Sequence, residues 1–352
     1  MPRNRRGLSA ALLLSLALLV SACSTDGNSA SSVGLGGGGN TDGKGAVTLN
    51  VGDQKGGSEA ILRAAGELKD LPYRVKWSTF TSGPPMLEAV NAGAVDIGTV
   101  GNTPPVFAAG ARSKIVVVAA VHGDPAGEAI LVPENSPLKK TTDLKGRTLA
   151  VAQGSSAHFQ LIASLKAAGL KLSDIKVTLL QPADALAAFN SGKVDAWAVW
   201  DPYTSQVLGS GKGRILTNGR GVVNGLTVQV AAPAALKDKK KEQAIGDLIA
   251  RLRRAQDWVY EHPEAWAKVW AKDTGLPYDV ALAAVKRSYG TRVPVALDKD
   301  AIASEQRIAD TFADLKLIPR HFDFADYVDG RFNDNLPPSA SPARSYGKAP
   351  SS

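Results

Sequence analysis

The sequence contains little cysteine, methionine or histidine, and these shortages exclude several classes of protein. Its 352 residues include one cysteine, two methionines and four histidines. A single cysteine cannot form an internal disulfide, so the fold must depend on core packing, which suits a large domain. The HExxH, CxxC and P-loop patterns of metal, redox and nucleotide sites do not occur. We therefore expect neither a metal nor a cofactor.

Strong charge of one sign is also lacking. The formal net charge is +8, and three of the positive charges are arginines close to the amino terminus. The one dense basic run, "KDKKK" at residues 237–241, leads into a predicted helix and is typical of a solvated helix face. We therefore expect no nucleic-acid partner.

Long apolar runs are missing except at the amino terminus. Arg3, Arg5 and Arg6 precede about a dozen mostly apolar residues and then "VSAC", the pattern of a secretory signal rather than a membrane span. The small residues before the lone Cys23 resemble the lipobox of bacterial lipoproteins. This resemblance implies that residues 1–22 are removed, that Cys23 is lipidated, and that the exported chain is anchored at the outer face of the cytoplasmic membrane. The paired arginines leave the Sec and twin-arginine routes both open.

Two segments of low complexity flank a long folded region. Residues 23–46 contain the stretch "STDGNSASSVGLGGGGNTDGKG", which is typical of a flexible tether. The tail at residues 335–352, rich in proline and serine, is predicted to be disordered. The remaining residues, 47–334, are enough for two domains or lobes.

An internal duplication divides this region. "LEAVNAGAVDIGTVGNTP" from Leu87 aligns without gaps on "LAAFNSGKVDAWAVWDPY" from Leu186, with seven identities in eighteen positions that include Asp96 and Asp195. "TLNV" at residues 48–51 precedes a Gly-Gly-Ser loop, and "TLAV" at residues 148–151 precedes a Gly-Ser-Ser loop. We interpret the pattern as a repeated unit of alternating strands and helices. It predicts an α/β fold with parallel strands covered by helices.

The predicted topology brings four loops together. Ligands of open parallel sheets bind beyond the carboxyl ends of the strands, so the loops after the first and third strands of each unit should line one cleft. Helix starts in these loops would present free backbone N–H groups to an anion. Gly101 and Gly154 expose backbone, and Lys55 adds one cation. The candidate ligand-binding residues are Gln54, Lys55, Gly101, Asn102, Thr103, Gly154, Ser155, Ser156, His158, Trp200 and Asp201.

Several of these residues have a purely structural alternative. Ser155 and Ser156 follow a predicted strand and could serve only as helix caps. His158 is more often a structural histidine at such a position, and Trp200 is either core or an apolar wall of the cleft. A serine nucleophile with His158 as its base would make the protein an exported hydrolase. The stretch "GSSAH" does not fit the G-x-S-x-G elbow, and no third residue orients the histidine, so we expect no catalytic residues and no enzyme.

A family resemblance covers residues 51–323. The stretches "GPPMLEAVNAGAVDIGTVGNTPPVFA", "ILVPENSPLKKTTDLKGRTLAVAQGSSAH" and "PADALAAFNSGKVDAWAVWDPY" resemble the aliphatic sulfonate-binding proteins of bacterial ABC importers. The resemblance implies a two-lobed type II periplasmic-binding-protein fold, each lobe a mainly parallel sheet flanked by helices. Lobe 1 would comprise residues 47–132 and 229–334, and lobe 2 residues 133–228.

The resemblance also implies a function. A monomer would capture an alkanesulfonate in the cleft between the lobes, close over it, and deliver it to an ABC permease. Relatives often carry aspartate where this chain has Asn102, and the neutral amide could change the preferred ligand. Taurine, nitrate, bicarbonate and thiamine precursors therefore stay open as alternative ligands.

Overall fold

The computed structural model describes residues 46–288 and 292–335. The predicted signal peptide, Cys23 with nearly all of the tether, and nearly all of the tail lie outside the described residues. Within them the chain forms two sheets flanked by helices, so the predicted α/β architecture is confirmed. No helix in the described ranges is long and apolar enough to cross a membrane.

The first sheet has six strands in the order β11-β4-β10-β3-β1-β2. Strand β1 pairs in parallel with β2 and β3, whereas β10 runs antiparallel to both β3 and β4. The β-branched and apolar residues of β4 and β10 are almost entirely buried, as expected for central strands of a sheet covered on both faces. The strands are β1 (Thr48–Gln54), β2 (Arg74–Phe80), β3 (Ile97–Gly101), β4 (Val116–His122), β10 (Leu226–Ala231) and β11 (Val293–Val295).

The second sheet has five strands in the order β7-β6-β8-β5-β9. Strand β6 pairs in parallel with β7 and β8, and β5 runs antiparallel to β8 and β9. Each sheet therefore combines a parallel half, built by the repeated unit, with antiparallel pairs added by the strands that arrive from the other sheet. The strands are β5 (Ala129–Pro133), β6 (Thr148–Val151), β7 (Lys176–Leu179), β8 (Ala196–Val199) and β9 (Gly213–Asn218).

Eleven α-helices cover the described parts of the sheets. Ser155 caps α4 by accepting a hydrogen bond from the N–H of His158, and Gly169 follows this helix with a left-handed φ of 71°, as its sequence pattern predicts. The helices are α1 (Ser58–Ala64), α2 (Gly83–Asn91), α3 (Thr103–Gly110), α4 (Ser156–Ala167), α5 (Pro182–Asn190), α6 (Tyr203–Gly209), α7 (Pro233–Lys237), α8 (Lys239–Glu261), α9 (Pro263–Thr274), α10 (Tyr278–Ser288) and α11 (Lys299–Asp314).

The duplication is visible in equivalent hydrogen bonds. Asp96 accepts a bond from the N–H of Asn50 at 2.8 Å, and Asp195 accepts one from the N–H of Thr148 at the same distance. Asp96 directly precedes β3 and ties it to β1, and Asp195 directly precedes β8 and ties it to β6. The order β1-α1-β2-α2-β3-α3 repeats as β6-α4-β7-α5-β8-α6.

The chain passes between the sheets twice. It leaves the first sheet after His122 and enters the second at Ala129, then leaves after Asn218 and returns at Leu226. The predicted crossings at Val132 and near Gln229 lie inside β5 and β10, after the chain has already entered the next sheet. Each of these two strands pairs antiparallel with a strand of the parallel half of that sheet. The exact lobe boundaries remain a proposal.

Candidate functional site

A cavity of about 180 Å³ lies where loops from the two sheets meet. Its wall includes the loops after β1, β3, β6 and β8, so the structure brings together the four loops that the repeat predicts. The two crossings between the sheets complete the wall near Gly127 and Gly225. Seven of the eleven candidate residues line this cavity, hereafter the cleft: Gln54, Lys55, Gly101, Ser155, Ser156, Trp200 and Asp201.

Asn102 and Thr103 lie beside the cleft in a buried polar network rather than on its wall. The Asn102 amide donates to Oδ1 of Asn224 at 2.7 Å, and the Thr103 hydroxyl donates to Oδ1 of Asn102 at 2.8 Å. Asn224 in turn donates to Glu305 at 2.8 Å. Burial raises the pKa of Glu305 to about 8. The network ties the second crossing to α3 and α11, which is a positioning role.

Gly154 and His158 also lie off the cleft wall. The N–H of Gly154 donates to Nδ1 of His158 at 3.2 Å, and the imidazole packs edge-on against Phe312 with ring centroids 5.2 Å apart. Burial lowers the pKa of His158 to about 4, so the ring is neutral at physiological pH. A Cβ on Gly154 would lie 2.9 Å from the Phe107 ring, and its φ is +68°. Both residues therefore pack the start of α4 against α3 and α11.

The start of α4 presents hydrogen-bond donors at the cleft. Ser155 is occupied, because its hydroxyl donates to the carbonyl of Ala152 at 2.7 Å and accepts from the N–H of His158. The N–H groups of Ser156 and Ala157 lie in the first turn, where a helix offers them no partner of its own. Ser156 is buried and lines the cleft. Amides at a helix start together with a hydroxyl make a site suited to an oxyanion.

The start of α1 is already occupied by a carboxylate. Asp53 accepts hydrogen bonds from the N–H groups of Ser58 at 2.7 Å and Glu59 at 2.8 Å. Burial raises the pKa of Asp53 to about 6, although these bonds to the ionised form oppose the rise. Of the two loops that follow a first strand, only the one after β6 therefore offers its helix start to an anion.

Like Asp53, Asp201 has its carboxylate bonded to other groups of the protein. Its carboxylate accepts from the N–H of Ser205 at 2.9 Å and forms an ion pair with Arg287 of α10 at 2.8 Å. The pair joins the loop after β8 to a helix from the carboxyl-terminal part of the chain. Beside it Trp200 is half-buried, and its ring meets that of Tyr203 at 85° with centroids 6.3 Å apart. Asp201 therefore stabilises the position of the loop after β8 in the wall, while Trp200 supplies apolar surface.

Four charged residues of the wall are not among the candidate residues: Asp53, Asp124, Glu128 and Arg292. Glu128 directly precedes β5, and its Oε2 is buried without a hydrogen-bond partner among the described residues. Burial raises the pKa of Glu128 to about 7, against the lowering effect of Ser156 and of nearby Arg292. From the sequence, the position of Glu128 beside a predicted strand is only a weak signal for a site residue. The sequence around Arg292 contains no motif that indicates a site, because Arg292 reaches the cleft from a segment far away in the chain.

A polar contact joins the loop after β2 of the first sheet to the loop after β7 of the second sheet, away from the cleft wall. The hydroxyls of Ser82 and Thr81 donate to Oε1 of Gln181 at 2.9 and 3.2 Å. Ser82 precedes α2 and Gln181 precedes α5, and the two residues occupy equivalent positions in the duplication. The contact therefore joins equivalent positions of the two repeated units.

Comparisons with known proteins agree with this architecture. The NMT1-like family matches residues 56–272. An aliphatic sulfonates-binding protein of Escherichia coli (strain K12) is 37% identical over 284 residues, which are 80% of this chain and 88% of that protein. The chain belongs to the NMT1-like family. This NMT1-like protein is therefore expected to share the relatives' fold closely.

Solved structures support that expectation. The alkanesulfonate-binding protein SsuA from Xanthomonas axonopodis pv. citri, bound to MOPS, superposes with a TM-score of 0.74 at 32% identity. The superposition covers 80% of this chain and 98% of that one. The desulfurization enzyme DszB superposes with a TM-score of 0.59 at 16% identity over 82% of this chain and 98% of the enzyme, a likeness of fold alone. The more similar relatives are binding proteins, not enzymes.

Proposed function

We propose that this protein is the binding component of an ABC importer and captures alkanesulfonates in the cleft. The proposal rests first on the start of α4, where Ser156 lines the cavity and the amides of Ser156 and Ala157 lie in the first turn of the helix. A sulfonate stays ionised at physiological pH and has three oxygens, so donors in this arrangement bind it without a proton of its own. The relatives named for binding sulfonates support the same ligand class.

The cleft also contains apolar surface for the alkyl part of such a ligand. Trp200, Ile61 and Leu252 belong to the wall. A ligand with an alkyl chain removes this surface from water, at about 25 cal/mol for each Å² buried. Nitrate and bicarbonate have no apolar part and would leave the surface uncovered. The composition of the wall therefore favours an alkanesulfonate over these smaller anions.

The serines of the cleft are arranged for binding rather than for attack on a substrate. The Ser155 hydroxyl donates to a backbone carbonyl, and Nδ1 of His158 accepts from a backbone N–H. Among the described residues, neither serine hydroxyl has a hydrogen bond to an imidazole. A general base must lie within hydrogen-bond reach of the nucleophile that it activates. We therefore propose that the protein has no hydrolase activity.

The location and partners follow from the same proposal. The protein would be exported, lipidated at Cys23, held at the outer face of the cytoplasmic membrane, and monomeric. Ligand would stabilise contact between the lobes, and the closed form would dock on the permease. Mass spectrometry of the protein purified from membranes tests the anchor. The Cys23→Ser variant should lose the acyl mass and the membrane association.

A ligand panel measured by thermal shift tests the function. Butanesulfonate should raise the melting temperature, because a ligand at 100 times its Kd adds about 2.7 kcal/mol to the free energy of unfolding. Taurine, nitrate, bicarbonate, sulfate and a pyrimidine serve as comparisons at equal concentration. A shift with nitrate or the pyrimidine, and none with any alkanesulfonate, would contradict the proposed ligand class.

A further inference from the structure

The two sides of the cleft touch where Gly101 meets Ser156. Gly101 is the last residue of β3 in the first sheet, and Ser156 is the first residue of α4, which follows β6 of the second sheet. A Cβ at Gly101 would lie 2.9 Å from Cβ and 3.1 Å from Oγ of Ser156. Both residues line the cleft. The contact therefore exists in this form only because Gly101 has no side chain.

The backbone conformation of Gly101 does not itself require glycine. Its φ lies outside the left-handed region, and the residue pairs with Thr227 of β10 as part of the sheet. Gly154, in the loop after β6, has a φ of +68° and needs glycine for its backbone as well as for space. At Gly101 the close approach of Ser156 is the only requirement, so a substitution there tests that approach alone.

A side chain at Gly101 could not be accommodated by a change of rotamer. The Cβ of Ser156 is fixed by its backbone, and non-bonded carbon atoms normally lie about 3.5 to 4.0 Å apart, so the space falls short by about 0.6 to 1 Å. The backbone is held on both sides. Asn102 donates to Oδ1 of Asn224 at 2.7 Å, and the Ser155 hydroxyl donates to a backbone carbonyl at 2.7 Å. The strain would therefore be relieved by moving the two sides of the cleft apart.

We propose that Gly101 is a positioning residue that sets how closely the two sides of the cleft approach, and that a side chain there keeps the cleft too wide for one sulfonate to contact both sides. The inference rests on the proposed function and concerns closure of the cleft. One side offers the start of α4, and the other includes Gln54 and Lys55. A separation of about 1 Å lengthens a hydrogen bond of about 3 Å beyond its usual range.

Substitution of Gly101 should affect binding more than stability. Gly101→Ala should weaken butanesulfonate binding about tenfold or more, because the hydrogen bonds from one side of the cleft are lost. Gly101→Val, with a larger side chain, should weaken it further. The ligand-free variants should unfold at denaturant concentrations close to that of the wild type, since opening of the cleft relieves the crowding and the loss of glycine restricts the unfolded chain.

Calorimetry and X-ray scattering test the proposal with a matched control. Titration calorimetry at pH 6 gives the affinity for butanesulfonate, and small-angle scattering gives the decrease in radius of gyration at saturating ligand. Gly101→Ala should contract less than the wild type. Gly246→Ala adds a Cβ to α8 at 3.1 Å from the Phe332 ring, off the cleft wall. This control should keep the affinity and the contraction of the wild type.

A double-mutant cycle shows whether the added methyl group meets Ser156 or the ligand itself. Ser156→Gly removes the Cβ against which an alanine at Gly101 would press. On that background Gly101→Ala should reduce the affinity by less than about threefold, compared with about tenfold when Ser156 is present.

The outcomes separate this inference from the proposed function. Wild-type affinity in Gly101→Ala would overturn the inference and leave sulfonate binding in place. An equal loss in the Ser156→Gly background would place the methyl group against the ligand and would also overturn it. An equal loss of stability in the ligand-free protein would make Gly101 a packing residue and not a positioning residue. If the wild type does not bind butanesulfonate, the proposed function is wrong and the inference fails with it.

Discussion

Ser155 and Ser156 are neighbours in the chain, yet the structure predicts that their hydroxyls serve different purposes. Replacing Ser156 by alanine removes a hydroxyl that lines the cleft, whereas Ser155→Ala removes a helix cap. A hydrogen bond to a charged group contributes about 1.5 to 3 kcal/mol. At about 1.4 kcal/mol for each factor of ten, Ser156→Ala should weaken butanesulfonate binding at pH 6 by about ten- to a hundredfold.

Ser155→Ala is the matched control. Its hydroxyl hydrogen is engaged by the carbonyl of Ala152, so the affinity for butanesulfonate should change by less than about twofold. Loss of the cap should lower the free energy of unfolding by about 1 kcal/mol. Calorimetry at pH 6 gives the affinities, and denaturant titration gives the stabilities. Equal losses of affinity in the two variants, or a loss only in Ser155→Ala, would refute the assignment of the donor.

Three further predictions concern contacts that hold the two sheets together or fix the start of α4. Gln181→Ala removes the hydrogen bonds from Ser82 and Thr81. We expect about a threefold faster release of ligand, measured by stopped-flow tryptophan fluorescence. An unchanged release rate would show that this contact does not contribute to closure of the lobes over the ligand. Arg287→Met leaves Asp201 without its partly buried cation and should cost about 2 to 3 kcal/mol in denaturant unfolding, with part of the loss restored by Asp201→Asn; no loss would contradict a structural role for the pair. The pKa of His158 is about 4 in the folded state but about 6.5 when unfolded, so its contribution to stability is present above pH 6.5 and is lost as the pH falls towards 4. The stability difference between wild type and His158→Gln should therefore change by about 3 kcal/mol between pH 7 and pH 4, and a constant difference would show that the ring is not buried as described.

The duplicated half of the fold was predictable because its evidence is local. Asp96 and Asp195 mark equivalent strand starts, and the apolar spacing after Ser156 together with Gly169 bounds α4. The crossings were harder to predict, because β5 and β10 join their sheets by antiparallel pairing with strands far away in sequence. No nearby residue pattern records such pairing.

The candidate site was predictable to the level of loops but not of side chains. Strand topology alone brings the loops after β1, β3, β6 and β8 to one place. Whether Asn102 or His158 then faces the cleft depends on the rotation of each helix start, which is set by packing against α11. Arg292 comes from a segment with no motif, so only the tertiary structure connects it with Glu128.

The central claim is that the cleft binds an alkanesulfonate by its head group at the start of α4. The most direct measurement is a crystal structure of the complex with butanesulfonate, grown at pH 6. The account predicts sulfonate oxygens within about 3 Å of the N–H groups of Ser156 and Ala157 and of the Ser156 hydroxyl, with the alkyl chain against Trp200. A sulfonate bound elsewhere in the cleft with those three donors unused would contradict it.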